Sequence, residues 1–276
     1  MTTFLAAYDT ENPLCIETLP RIVEVHEQHQ VPATFFIVAR LAESHAGAFR
    51  RLIVGKPWFE IASHSWTHML LREHRLCGKP GPAEQFPHEI VDSKRHIEEL
   101  FGCKVTGFRP PVCFEKGFHG APHLLELCRR AGYAYISSIG WGPHDSLPIM
   151  PQAAFTYAED GYPDIWEIPP CGWHENLLKG NNRWDPRPIQ LFPHPFPEAA
   201  ITDFVKTPEE EFQVHAKFID RAKRDGLGHV SVLWHPWSLN SFDPKMEMLD
   251  RVFTYIRQQN IPAATFADYA KTLQGA

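Results

Sequence analysis

The chain has 276 residues, 43% of them hydrophobic, enough to bury a sizeable core in one large domain or two small ones. A net charge of −6 without any Lys/Arg-rich run speaks against a nucleic-acid partner, and no apolar stretch reaches the length of a membrane span. No basic segment followed by an apolar one opens the chain, so the expected location is cytoplasmic, or secreted if a leader has been trimmed.

In chain order, FLAAY is the first strand-like run. The segment 16–30 then has helical spacing through Ile16, Leu19, Val23 and His26, and VPATFFIV (31–38) reads as a buried strand. A helix around 46–54 leads into the strand WFEIAS (58–63). EQFPHEIVDSKRHIEELFG places Ile90, Ile97, Leu100 and Phe101 on one helical face, with Gly102 where a helix would end. KVTGF is a strand, HLLELCRRAG a helix and YAYIS a strand. Beyond these come the strand DIWEIP, a helix over 208–224, the strand HVSVLW, a helix over 244–259, the short strand IPAAT and a last helix. Repeated strand–helix units of this length imply a parallel sheet, open or closed into a barrel. The Pro-rich stretch between Trp141 and Pro208 reads as long loops decorating one face of a single domain, 1–276. The six cysteines (Cys15, Cys77, Cys103, Cys113, Cys128, Cys171) include no C-x-x-C pair and read as mostly free thiols.

In parallel α/β architectures functional groups gather where strands end, and this selects four sites. WFEIAS runs into His64 and His68, whose i, i+4 spacing can present both rings to one metal ion from a single helical turn. With 16 histidines about one such pair is expected by chance, and FHGAPH supplies a second at His119 and His123, so spacing alone decides nothing. The second pair follows a loop, and surface or helix-start histidines suffice there. Strand one ends in Asp9-Thr10-Glu11, KVTGF in Arg109-Pro110-Pro111, and HVSVLW in His235-Pro236-Trp237. Each taken singly is matched by a bland alternative: a helix cap, a surface charge, a structural histidine.

Taken in order, these stretches resemble the NodB-type polysaccharide deacetylases, the fourth family of carbohydrate esterases. FLAAYDTE, PATFFIV, FEIASHSWTH, IEELFGCKVTGFRPP and ATFADYAK carry the likeness along nearly the whole chain. The resemblance implies an α/β fold, a distorted (β/α) barrel commonly of seven parallel strands. It also implies a divalent metal, Zn²⁺ foremost, held by one carboxylate and two histidines. Matched residue by residue, His64 and His68 are metal ligands, Asp9 the catalytic base, Arg109 the arginine that orients it and His235 the general acid. The commonest opening motif has two adjacent acids, but here Thr10 follows Asp9, so Glu11 is matched to the metal through a D-x-E variant. Val112 stands where an aromatic residue is usual, and its backbone N–H can still meet an oxyanion. Ser137 and Ser138 stand where the family often has an aspartate paired with the acid histidine.

The implied reaction is metal-assisted removal of an N-acetyl group from a sugar. Trp66, Trp141, Trp173, Trp234 and Trp237 lie in or near rim segments and offer faces for sugar rings, though tryptophans are as often core. Trp173, His174 and Trp237 are candidate substrate contacts, with Glu175 beside them. Two other readings stand beside this one: an allantoinase-like or imide-hydrolysing enzyme acting on small cyclic amides, and a catalytically silent carbohydrate-binding relative. The expected partner is a carbohydrate or small N-acyl substrate, and the sequence leaves room for a homo-oligomer.

Overall fold

The computed structural model describes residues 1–172 and 205–275. Among the described residues nine strands form one sheet: β1 (Thr3–Thr10), β2 (Ala33–Ile37), β3 (Phe59–Ser63), β4 (Gly107–Phe108), β5 (Tyr135–Ile136), β6 (Phe155–Tyr157), β7 (Tyr162–Glu167), β8 (His229–Trp234) and β9 (Ala263–Ala264). Its order is β6-β7-β5-β4-β3-β2-β1-β8, with β9 paired to β1 beside β2. Seven strands on this path, β1 to β5 with β7 and β8, run parallel, and β6 is an antiparallel addition at the edge. Around them lie α1 (Pro13–His29), α2 (Ala39–Ser44), α3 (Ala46–Leu52), α4 (Ser93–Phe101), α5 (Pro122–Ala131), α6 (Pro208–Arg224), α7 (Pro236–Phe242), α8 (Glu247–Gln258) and α9 (Phe266–Gln274). This is the expected distorted (β/α) barrel. Its ladder is not continuous between β7 and β8. Pro169 and Pro170, just past β7, have no N–H to donate, and among the described residues one bridge, Cys171 to Val232, crosses the gap.

Strand alternation divides the apolar residues into two layers. Phe4, Ala6 and Tyr8 of β1 join the large cluster shared with the helices. Leu5 and Ala7 join a smaller one with Phe36, Ala62, Tyr135, Ile168 and Leu233, which fills the barrel. Gly107 leaves room for this filling, because a Cβ there would lie 1.9 Å from Cζ of Tyr135. Phe266, at the start of α9, closes the bottom against Phe36 and Tyr135, with ring centroids 5.5 and 5.7 Å apart.

The elements differ from expectation in a few places. The helix expected over 244–259 is α8, and a further short helix, α7, precedes it. Asp243 separates them, and its carboxylate accepts the N–H groups of Glu247 and Met248 at 3.0 and 2.8 Å, so it caps α8. The pattern expected over 84–102 contains a 3₁₀ turn (Ala83–Gln85) and a π turn (His88–Asp92) before α4, which does end at Gly102 with φ +64°. Helix α2 and strand β6 carried no periodic signal, being six and three residues long. All six cysteines are free. No helix among the described residues is long and apolar enough to cross a membrane.

Candidate active site

The alternation that fills the barrel also aims the functional side chains. Asp9 continues the inward series of Leu5 and Ala7, His64 follows Ala62, Ser137 follows Tyr135 and His235 follows Leu233. Arg109 follows the inward Gly107. Asp9, Glu11, His64, His68 and His235 accordingly line one pocket, together with Val112, Cys113, Trp141 and Leu233.

His64 and His68 do not share a helical turn. Residues 64–68 form a bend in which Ser65 and His68 both take left-handed backbone angles, φ +66° and +67°. The strand hands its last inward position to His64, and the bend, not helical spacing, returns His68 to the same point. The Ser65 hydroxyl accepts the His68 N–H at 3.1 Å and Ser63 bonds Ser93 at 3.0 Å, fixing both ends of the bend.

Ligand atoms of Glu11, His64 and His68 lie within 4.8 Å of one another. Nδ1–H of His64 donates to the Arg109 carbonyl at 2.8 Å, which leaves the lone pair on Nε2. Burial pushes the His64 imidazole down to about 4, against the pull of Asp9 and Glu11, so the ring is neutral near pH 7. Glu11 is held on both oxygens, Oε1 by the Trp237 indole N–H at 2.8 Å and Oε2 by His68 Nε2 at 2.9 Å. Burial works against its ionisation, but His68 and His235 overcome it and keep its carboxyl well below the usual range. Two imidazoles and one ionised carboxylate, one imidazole fixed by a second hydrogen bond, suit a divalent transition ion such as Zn²⁺.

Asp9 sits beside this cluster and is held differently. Nη1 of Arg109 donates to its Oδ1 at 2.8 Å, and Oδ2 lies 3.7 Å from His64 Nε2. Burial raises the Asp9 carboxyl, but Arg109, His64 and His235 outweigh it and bring it below the usual carboxylate range. Arg109 is itself fully buried. Its Nη2 donates to the Ser137 hydroxyl at 2.9 Å, and its guanidinium lies 4.0 Å over the Phe36 ring and 5.5 Å from that of Phe266. Ser137 therefore serves Arg109, at the place where the resemblance implies a partner for His235.

Val112 and Cys113 both have positive φ, +70° and +58°. Such conformations are costly for β-branched residues and persist only where the surroundings over-determine them. Here the Trp141 indole N–H donates to the Val112 carbonyl at 2.8 Å. Of the other rim tryptophans, Trp237 holds Glu11, Trp234 is fully buried in the outer layer, and Trp66 lies against His88 and His96. Trp173, His174 and Glu175 lie outside the described residues. His119 and His123 form no metal cluster among the described residues; His119 pairs with Asp160 at 2.6 Å and stacks on Phe155. Sequence reasoning missed Cys113 and Leu233 as pocket walls and Glu89 as a brace under residues 66–67. An acid beside a helical apolar face carries no signal that separates it from a solvated one.

Residues 7–135 match the family model described as polysaccharide deacetylase. A chitooligosaccharide deacetylase of Bradyrhizobium sp. (strain ANU 289) is 33% identical over 67 residues, 24% of this chain and 28% of that protein. Over residues 7–135, just under half of its length, the chain is similar to the polysaccharide deacetylase family. A second chitooligosaccharide deacetylase, from Sinorhizobium fredii (strain NBRC 101917 / NGR234), is 27% identical over 96 residues, 35% of this chain and 39% of the relative. The matches thus span well under half of these curated relatives. Among solved structures, a Mycobacterium smegmatis protein assigned to the polysaccharide deacetylases superposes with TM-score 0.66 at 17% identity, covering 99% of this chain and 91% of its own. An allantoinase, PuuE, gives 0.63 at 14%, covering 98% and 88%. A carbohydrate esterase family 4 pseudoenzyme from Bacillus anthracis gives 0.55 at 16%, covering 98% and 66%. At these identities the structural likenesses show the deacetylase-type barrel and leave the chemistry to the site.

Proposed function

We propose that the protein is a metal-dependent hydrolase that removes an N-acetyl group from an amino sugar. The observation that carries this reading is the division of labour between two carboxylates: Glu11 grouped with His64 and His68, and Asp9 set apart on Arg109. One carboxylate is thereby available to two imidazoles, and the other is free to take a proton.

Glu11, His64 and His68 would hold the ion. When bound, a divalent ion of this kind polarises a carbonyl and acidifies water. Asp9, ionised and fixed through Oδ1, keeps Oδ2 as the proton acceptor for the attacking water. The amide of Val112, which makes no hydrogen bond within the described residues, supplies a donor for the developing oxyanion. His235, at the end of β8 on the same pocket, supplies the proton that the departing amine needs. Leu233, Cys113 and Trp141 give that pocket an apolar wall suited to a small acyl group.

Protein loaded with Zn²⁺ should release acetate and free amine in step from at least one N-acetylhexosamine derivative. Chelation should stop the reaction, and His64→Ala or His68→Ala should abolish metal binding. Ring opening of a cyclic ureide or imide, with no acetate from any sugar, would assign the same site to the allantoinase-like reaction. Metal binding without turnover of either class would leave a silent carbohydrate-binding relative.

A further inference from the structure

The bend that carries His68 has no helix or ladder of its own to hold it. It rests on a buried carboxylate one layer behind. Glu89, 1% exposed, accepts the backbone N–H groups of Trp66 and Thr67 on Oε2, both at 2.9 Å, and the Thr67 hydroxyl on Oε1 at 2.6 Å. Three donors on one ionisable side chain, all from two consecutive residues between His64 and His68, make a clasp around that stretch of main chain.

Glu89 is itself built into place. It lies in the π turn His88–Asp92, a rare conformation that leaves carbonyls without their regular helical partners. The Ser93 hydroxyl donates to the Glu89 carbonyl at 2.7 Å, and the Tyr133 hydroxyl donates to that of Ile90 at 2.9 Å. Ser93 also meets Ser63, the last residue of β3 before His64, at 3.0 Å. The π turn is thus stitched to the strand that delivers the first histidine, and its carboxylate reaches the bend that delivers the second.

We propose that Glu89 is a positioning residue for His68. Its clasp fixes the turn with left-handed Ser65 and His68, and so sets the distance of the second imidazole from His64 and Glu11. The role depends on reach, not on charge at the ion: the carboxylate acts through backbone amides. This inference rests on the reading of Glu11, His64 and His68 as a metal site.

The test is Zn²⁺ affinity, measured by competition with a chromophoric chelator, together with the absorption spectrum of the Co²⁺ form. Glu89→Gln keeps the length and one carbonyl oxygen able to accept both amides, and the Thr67 hydroxyl can turn to accept from the new NH₂. Glu89→Asp keeps the charge and loses the reach. Affinity close to wild type is expected for Glu89→Gln. Glu89→Asp and Glu89→Ala should lose about 10–100-fold in affinity, as removal of an outer-shell partner does, and show an altered Co²⁺ spectrum. The order Gln above Asp holds the proposal open to refutation even if the alanine variant fails to fold. Wild-type affinity and spectrum in Glu89→Asp, with His68→Ala devoid of metal, would overturn the positioning role and leave the metal reading intact. So would a Glu89→Gln variant as weak as Glu89→Asp, since charge would then be what matters. Wild-type protein that binds neither Zn²⁺ nor Co²⁺ would overturn the metal reading, and this inference with it.

Discussion

Two acids two positions apart are held by different neighbours. Asp9 is met by a guanidinium and Glu11 by an indole N–H and an imidazole. Asp9→Asn should therefore lose about 10²–10⁴-fold in turnover, the usual contribution of a general base, while Zn²⁺ stays bound. Equal losses of metal and activity would move Asp9 into the ligand set. Arg109 gives a second readout. It favours the ionised form of Asp9, so the acid limb of the pH–rate profile should lie below the ordinary carboxylate range. Arg109→Lys cannot reach both Asp9 and Ser137 with a planar fork, and it should move that limb to higher pH. An unmoved limb would mean that another group titrates in it.

At the scale of elements, β1 is tied to α1 by a buried polar pair. His26 has Nδ1 2.7 Å from the Val31 carbonyl and Nε2 2.7 Å from the Tyr8 hydroxyl. A carbonyl only accepts, so Nδ1 carries the hydrogen and Nε2 accepts from Tyr8, whose hydroxyl burial holds well above its ordinary pKa. Neutral His26 is satisfied on both nitrogens; a protonated ring would confront Tyr8 with a second donor. Burial accordingly pushes His26 down to about 4 from the usual 6.5. The unfolded chain takes up this proton first as pH falls. The contribution is therefore intact above about 6.5 and lost by about 4, a change on the order of 3 kcal/mol. Denaturant titrations at pH 7 and pH 4.5 should show it. The Tyr8→Phe/His26→Phe double variant should be less stable at pH 7 yet lose less between the two pH values. Part of the loss should persist, because burial also brings His229 down to about 4. An identical pH dependence in both proteins would exclude His26 as a source.

Across the whole molecule, the barrel filling joins its bottom to the site. Phe266 touches Phe36 and Tyr135, Phe36 lies under the Arg109 guanidinium, and Arg109 holds Asp9. Glu60 completes the bottom by accepting from Thr34, Tyr135 and the N–H of Ala267 in the first turn of α9, at 2.7 to 2.9 Å. Phe266→Ala should cost about 3–5 kcal/mol of stability, as large-to-small changes at buried aromatics do. It should also reduce turnover more than metal affinity, because the cavity opens beneath Arg109 and not beneath His68. Loss of stability with unchanged turnover in the folded fraction would show that the two ends of the barrel are independent.

Strand alternation and the local pattern are written in the order of residues. Composition, helix spacing and the strand-end positions of Asp9, His64, Arg109 and His235 were therefore legible in the sequence, and so was the parallel sheet, while its barrel form came only through the family resemblance. The short elements α2 and β6 were not, because six helical or three strand residues contain too little of any pattern, whereas β4, β5 and β9 sit inside longer strand-like runs. The bend at 64–68 was misread for a related reason: i, i+4 spacing is equally compatible with a helical turn and with two left-handed residues, and only the contacts of Ser65 and Glu89 choose between them. The partners of each charged group were likewise decided in three dimensions. Arg109 meets Asp9 across 100 positions and Trp237 meets Glu11 across 226, separations bridged only by the curl of the sheet from β1 to β4 and by the pairing of β1 with β8.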